Sequence, residues 1–320
     1  MQRAPVRPVA EGGVLTAVAI IFALISTYVP VIGAFVTLIW PVPIILLGVR
    51  HGYNWSVLAV VASGIIISLL MPPLTAIAVI IGYGLIGIVL SYALRSSFSP
   101  AKALLLGAAA SLISKMAVIG IMAVVMGFNP LIIQTEAMTE AIKQALEFYR
   151  SMGMKTEDLA QMEAAMQPMP GILKMILPTC FILAAFIDTY LNFQVVKVVL
   201  GRLGQPIKSL PPFRYWSMPP VTVYALALAL VALYWGQSRE IDLLYTAGMN
   251  TLVLSGTVLF IQGMALFYFL ADKYKLSKLT RGIILFLIFF SNGIFIQSLI
   301  IGGAFDLIFD YRQLRSPRSE

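Results

Sequence analysis

The chain has 320 residues, of which 60% are hydrophobic and only 11% are charged, and its formal net charge is +8. Because a soluble domain usually has about 25% charged residues, this composition excludes an ordinary soluble protein. Apolar runs of about 18 residues or more recur along the whole chain, and such runs predict transmembrane helices. We therefore predict an all-α, polytopic transmembrane helical bundle that lies in a lipid bilayer.

The basic residues lie mainly in short segments between the apolar runs. Lys and Arg accumulate on the cytoplasmic side of membrane proteins, so the charge indicates topology rather than binding of nucleic acid. Arg3 and Arg7 precede the first run and predict a cytoplasmic N-terminus in the bacterial cytoplasmic (inner) membrane. The single cysteine, Cys180, allows no disulfide within the chain, and no Cys/His spacing indicates a metal site. We expect neither a metal nor another cofactor.

The first four predicted spans are about Gly13 to Ile32, Ala34 to Val49, Trp55 to Leu70 and Leu74 to Leu94. In the first span, Ala19 and Ala23 belong to a stripe of small residues, which lets two helix backbones approach closely in a membrane. The second helix of that contact could come from the same chain or from another protein. In the second span, Trp40 precedes Pro41 and Pro43, and two prolines this close predict a kinked or partly unwound helix.

A family resemblance rests on the run LTAVAIIFALISTYVPVIGAFVTLIWPVPIILLGVRHGYNWSVLAVVASG. Its elements are the AxxxA of Ala19 and Ala23, a proline-terminated turn at Pro30 and a proline-bearing second helix. This run resembles the opening of the S components of energy-coupling-factor (ECF) importers, which are their substrate-binding subunits. As a whole, the chain is most similar to the YybS-type family of bacterial membrane proteins, which is thought to be related to S components.

Two charged residues lie inside the next apolar runs. The fifth span, about Ala103 to Met126, carries Lys115, and the sixth, about Gly171 to Val199, carries Asp188 and Asn192 on one face. A charge at the bilayer centre costs roughly 2.5–3.5 kcal/mol on insertion scales. The two charges lie at similar depths on antiparallel helices, which leaves three interpretations open: an ion pair that holds the helices together, a ligand-binding site or a proton relay.

A polar insert, residues 131–169, separates these two spans. It has six acidic and three basic residues, and its pattern predicts two short amphipathic helices on the extracytoplasmic side. These helices could form an interfacial hairpin with no further role, or a lid over a pocket that opens outward. In a lid, the apolar surface that faces the pocket would be formed by four flexible side chains, those of Met154, Met162, Met166 and Met169.

The seventh and eighth predicted spans are about Val221 to Trp235 and Leu243 to Leu270. In the eighth span, Asn250 and Gln262 are expected to form hydrogen bonds between helices. We divide the chain into an S-component-like six-helix core, residues 1–200, which includes the insert, and C-terminal membrane helices with short basic loops, residues 201–320.

The last apolar stretch, Gly282 to Phe309, is interrupted at Ser291, Asn292 and Gly293. It could form a ninth span or a re-entrant hairpin. The basic tail that comes after it, which includes Arg315, favours the hairpin because an even number of crossings keeps this tail in the cytoplasm.

The resemblance to S components implies a small-molecule pocket, for a vitamin-like ligand, in the outer half of the core. It also implies that the face bearing Ala19 and Ala23 contacts a transmembrane coupling subunit served by cytoplasmic ATPases. Lys115 would attract an anionic group of the ligand. The candidate ligand-binding residues are Lys115, Asp188, Asn192 and Trp40.

Two other functions fit the same sequence. One is an assembly or scaffold protein of the cell envelope without transport activity, and the other is a proton-coupled transporter that uses Lys115 and Asp188. No HExxH, Walker lysine loop or GxSxG motif is present, so we expect that the protein is not an enzyme.

Overall fold

The computed structural model describes residues 6–127, 130–290 and 293–314. Four residues used in the predictions above, Arg3, Ser291, Asn292 and Arg315, lie outside these ranges. Every regular element of the described chain is helical, which confirms the predicted all-α class.

Most of the helices follow one another with short connections, and the longest connection in the described chain lies between α9 and α10. The first nine are α1 (Val6–Tyr28), α2 (Ile32–Ile39), α3 (Val42–His51), α4 (Tyr53–Leu70), α5 (Pro73–Arg95), α6 (Pro100–Met126), α7 (Pro130–Ser151), α8 (Thr156–Met166) and α9 (Met169–Arg202). A short 3₁₀ turn (Phe213–Tyr215) then precedes α10 (Val221–Ser238), α11 (Asp242–Lys273), α12 (Lys278–Phe290) and α13 (Ile294–Phe309).

Eight segments of the described chain are helical, long and apolar enough to cross a membrane. This confirms the prediction of a polytopic bundle with about eight spans. The helices α2 and α3 together make one of these segments. In the last apolar stretch, α12 and α13 are bent by 110° relative to each other, and the total rises to nine if this pair is one broken span.

The proline pair divides the second span, as predicted. The helix α2 ends at Ile39 and α3 begins at Val42, so that Trp40 and Pro41 form the break. Pro41 has no N–H to continue the ladder of α2. The break turns the Trp40 side chain into the protein, where its indole Nε1–H donates a hydrogen bond to the carbonyl oxygen of Ala19 at 2.8 Å.

The chain folds into two compact units. The first contains α1 to α8 and most of α9, and within it α5 packs against α3, α4 and α6. The second contains residues 175–179 of α9 and the described chain from Leu210 onwards. In the second unit, α11 packs against α10, α13 and the 3₁₀ turn.

The small-residue stripe packs inside the protein, which is one of the two uses that its sequence left open. Ala19 and Ala23 are both completely buried, in an apolar cluster that includes Trp40, Ile44 and Ile67. The large indole of Trp40 fills the space that two small side chains leave. The stripe therefore packs inside the first unit, and in this structure Ala19 and Ala23 offer no surface to a coupling subunit.

The insert forms a hairpin of two helices, as predicted. The helix α7 ends at Ser151, Gly153 takes a left-handed conformation with φ of +83°, and α8 begins at Thr156. A glycine is favoured at this turn because it adopts positive φ without a steric penalty. Leu159 on α8 is buried, and α7 packs against α8 and reaches α6.

Polar side chains of α11 bond to neighbouring segments of the second unit, which confirms the expectation for Asn250 and Gln262. The Asn250 Nδ2 donates to the carbonyl oxygen of Met175 at 2.7 Å, and its Oδ1 accepts from the backbone N–H of Thr179 at 3.2 Å. These two backbone groups lie beside Pro178, where the α9 ladder lacks one N–H. The amide of Asn250 therefore supports α9 at its proline.

A glycine permits close contact between α6 and α9. A Cβ atom at Gly107 would collide with the Cγ2 methyl of Thr189, the residue after Asp188. In contrast, a Cβ atom at Gly120, in the same helix, would meet nothing within 4 Å. The absence of a side chain at Gly107 therefore lets α6, which carries Lys115, approach α9, which carries Asp188.

We expect Gly107→Ala to lower the thermal unfolding midpoint of the purified protein, because overpacking in a tight contact costs about 1–3 kcal/mol. The matched variant Gly120→Ala should leave the midpoint unchanged or raise it, since alanine is favoured over glycine inside a helix by roughly 0.5–1 kcal/mol. Equal midpoints for the two variants would contradict the close contact at Gly107.

Candidate functional site

Lys115 and Asp188 lie near the middles of two long helices. Lys115 is in α6, which has 27 residues, and Asp188 is in α9, which has 34. Both helices exceed the thickness of the hydrocarbon core, about 30 Å, at 1.5 Å per residue. The two side chains are therefore far from either end of their helices.

The two charges form an ion pair. The Nζ of Lys115 contacts the Oδ2 of Asp188 directly. Ser111, one turn before Lys115, joins them: its hydroxyl accepts from the Lys115 Nζ at 3.0 Å and lies 3.4 Å from the same Oδ2, to which it can donate. The side chain of Asp188 is 4% exposed and that of Lys115 is 17% exposed, so Lys115 has the more exposed side chain of the two.

Asn192, one turn after Asp188, bonds to the chain at the break between α2 and α3. Its Nδ2 donates to the carbonyl oxygen of Leu38 and to that of Asp188, both at 2.8 Å. Leu38 lies in the last turn of α2, where backbone carbonyls have no donor from their own helix. Asn192 therefore supplies a donor that the proline break makes necessary. Its own Oδ1 is buried without a hydrogen-bond partner among the described residues.

Tyr83 of α5 covers the ammonium from another side. The Nζ of Lys115 lies 5.5 Å from the centre of the Tyr83 ring, within the range of a cation–π contact. Tyr83 also packs against the apolar cluster that contains Trp40. The ring therefore lies between the ion pair and that cluster.

Three of the four predicted ligand-binding residues are brought together. Lys115 and Asp188 form an ion pair, and Asn192 lies one turn along α9 and bonds to the backbone carbonyl of Asp188. Trp40 lies in the apolar cluster, with its indole N–H already bonded to Ala19. Ser111 and Tyr83 are not among the predicted site residues. The i, i+4 spacing of Ser111 and Lys115 was a usable signal for the first of these, whereas nothing local to Tyr83 indicates which helix it faces.

The ion pair is electrically neutral. Removing both charges from water is costly, and their mutual attraction compensates only if hydrogen bonds satisfy the remaining polar atoms. Here Ser111 supplies such a bond. Among the described residues, no group of three or more His, Cys, Asp or Glu side chains could hold a metal ion.

A polar cavity of about 470 Å³ lies between α7 and the start of α9. Its lining includes Glu136, Glu140, Lys143 and Lys174. Neither Lys115 nor any of the predicted lid methionines belongs to this lining. Three of those methionines are half-buried, namely Met154, Met162 and Met166. The fourth, Met169, is 40% exposed. The lid role therefore stays a prediction.

A second polar cluster lies at the start of the first unit. Glu11 accepts from the Nη2 of Arg50 at 3.1 Å and from the Nε of Arg7 at 3.2 Å, and its Oε2 lies 2.7 Å from the Nε2 of His51. The predicted first span begins at Gly13 and therefore leaves out Arg7 and Glu11. The i, i+4 pair of Arg7 and Glu11 would have indicated that the helix starts earlier.

The fold, the apolar spans and the buried ion pair define a multi-pass α-helical membrane protein. The chain belongs to the family described as "Predicted membrane protein (DUF2232)", which matches residues 17–307. It is 26% identical over 309 residues to a protein of Bacillus subtilis (strain 168), "Uncharacterized protein YybS", an alignment that covers 96% of this chain and 97% of that protein. These findings confirm the YybS-type resemblance. No solved structure gives a significant match.

The ion pair can be tested with a double-mutant cycle. We expect Lys115→Met to destabilise the protein by about 3–5 kcal/mol, because Asp188 then remains buried without its cation. The double variant Lys115→Met, Asp188→Leu should be closer to wild type, since both charges are removed. The stability of each variant is measured by thermal unfolding in the same detergent. Lys102→Met is the control for loss of a lysine in α6, because Lys102 is exposed. The cycle is completed by the single variant Asp188→Leu, and additive effects of the two single substitutions would contradict a direct pair.

Proposed function

We propose that this protein is a non-enzymatic, small-molecule binding subunit of a transport system, similar to an ECF S component. In this proposal it lies in the bacterial cytoplasmic membrane with its N-terminus in the cytoplasm. The observation that carries the proposal is the buried Lys115–Asp188 pair at mid-depth in the first unit.

The asymmetric burial of the pair supports a ligand role. Asp188 is enclosed, while part of the Lys115 side chain is reachable. An anionic ligand that reaches this ammonium would compete with, or share, the Asp188 carboxylate, and the interaction would be strong because the surroundings are apolar. Without a ligand, Asp188 and Ser111 satisfy the ammonium, so the free protein avoids an unpaired charge in the membrane.

Energy for transport would come from partners. The chain has no nucleotide-binding motif of its own, so active import would require a coupling subunit and ATPases. Since Ala19 and Ala23 are buried, such a subunit would contact a different surface of the first unit. The lipid-exposed residues of α1, such as Val14 and Ile21, which are 64% and 52% exposed, are available for that contact.

A second candidate function, proton-coupled transport, is favoured by one feature of the pair. Both the Lys115 ammonium and the Ser111 hydroxyl lie beside a single oxygen of Asp188. A proton delivered to that oxygen would neutralise the carboxylate and release Lys115. If this protonation drives transport, uptake into proteoliposomes is expected to depend on a pH gradient.

Binding can be tested on purified protein with a panel of anionic, vitamin-sized compounds. We expect one compound to raise the unfolding midpoint of wild type and of Lys102→Met. The double variant Lys115→Met, Asp188→Leu should fold but bind at least tenfold more weakly, which corresponds to about 1.4 kcal/mol. Lys102→Met is the matched control because it removes a lysine from the same helix outside the pair.

Two results would contradict this proposal. If no compound stabilises the wild-type protein, small-molecule binding fails. If the double variant keeps the wild-type affinity, the pair is not the site. Affinity purification of the protein from membranes distinguishes a transport subunit from an envelope scaffold. Co-purification of a coupling subunit with ATPases supports transport, whereas co-purification of envelope-synthesis proteins supports a scaffold.

A further inference from the structure

A second cavity, of about 370 Å³, lies in the second unit. It is formed where the end of α11 meets the chain after α13, and its lining includes Lys273, Tyr311, Arg312, Tyr215 and Phe269. Within the described chain, this lining contains two cations and no carboxylate. The cavity shares no residue with the Lys115–Asp188 pair, so a ligand bound here would be independent of the proposed function.

Arg312 makes one wall of this cavity rigid. Its side chain is only 1% exposed. The guanidinium donates to Asp306 at 3.0 Å and to the backbone carbonyls of Arg214 and Trp216 at 2.6 and 2.7 Å. Asp306 also accepts from Gln262 of α11 at 2.5 Å. The charge of Arg312 is therefore compensated, and its role is to hold the cavity wall in place.

Lys273 is the cation that remains available. Its Nζ donates to the Tyr311 hydroxyl oxygen at 3.5 Å and lies 5.3 Å from the centre of that ring. Among the described residues Lys273 forms no ion pair, because the adjacent Asp272 carboxylate is bound by Arg214 and Arg281 at 2.5 and 2.7 Å. The ammonium thus keeps donors for a ligand, and the Tyr311 hydroxyl keeps its own O–H.

The surroundings place this cavity at a membrane surface. Lys275, Lys278 and Arg281 come soon after Lys273 in the chain, and this concentration of cations predicts the cytoplasmic side. The exposed Tyr215 beside the cavity is typical of the interface between hydrocarbon and water. Anionic lipid headgroups lie at this level, and basic pockets between transmembrane helices on this side bind them.

We propose that this cavity binds a phosphate group, as carried by the headgroup of an anionic phospholipid or by a soluble phosphate compound. Lys273 supplies the positive charge as a compact ammonium, and the Tyr311 hydroxyl donates a hydrogen bond to a phosphate oxygen. The aromatic rings of Tyr215 and Phe269 would contact the apolar part of a lipid next to its headgroup.

The test uses the full chain in neutral detergent and measures thermal unfolding with three additions at constant ionic strength: phosphatidylglycerol, phosphatidylcholine and inorganic phosphate. We expect phosphatidylglycerol to raise the midpoint of wild type by several degrees more than phosphatidylcholine does. Lys273→Gln should lose at least half of this difference, and Lys273→Arg should retain most of it. Lys278→Gln is the matched control, since it removes a nearby lysine that does not line the cavity.

A second measurement counts bound phospholipids by native mass spectrometry, which does not depend on the stability of each variant. Tyr311→Phe should reduce occupancy less than Lys273→Gln does, because it removes one hydrogen bond and keeps the ring. If inorganic phosphate alone gives the same Lys273-dependent shift, the site takes a soluble phosphate compound. If Lys278→Gln loses as much binding as Lys273→Gln, or if Lys273→Gln loses none, diffuse surface charge explains the effect and the site is overturned.

Discussion

A polar group inside a membrane must find its partner within the protein, because hydrocarbon offers no hydrogen bonds and an unsatisfied group costs several kcal/mol. This constraint accounts for the main polar contacts of the first unit. Lys115 and Asp188 neutralise each other, and Ser111 joins them. Asn192 then satisfies the carbonyl of Leu38 that the end of α2 leaves without a donor. The helix break and the ion pair are therefore each satisfied by side chains of α9, one helical turn apart.

The same constraint shapes the second unit. Asn250 bonds to backbone groups of α9 next to Pro178, and the buried Asp306 is held by Arg312 and Gln262. In each unit, a departure from regular helix or a buried charge is matched by a polar side chain from another element. Hydrogen bonds of this kind add only modest stability in membranes, about 0.6 kcal/mol on average. Their larger effect is to fix which helix faces meet.

A site built in this way is closed before any ligand arrives. An anionic compound that binds Lys115 would have to compensate for the lost contact between Lys115 and Asp188. Binding and a rearrangement of α6 and α9 would therefore be linked. This linkage suits a subunit that signals occupancy to partners. It also suits a protein whose pair only holds helices together, and the two cases differ in whether the neutral double variant still functions.

The sequence by itself determined the class and the spans of this protein. Length and hydropathy predicted about eight spans, because backbone groups in lipid must be satisfied within the helix. Pro41 and Pro43 predicted the divided second span, because the missing proline N–H is a local effect. Similar depths of Lys115 and Asp188 indicated that a pair was available. Only the tertiary structure decided that the pair forms, that Tyr83 covers it and that Ala19 and Ala23 face inward against Trp40. In a membrane every face of an apolar helix is compatible with lipid, so hydropathy does not show which face meets another helix.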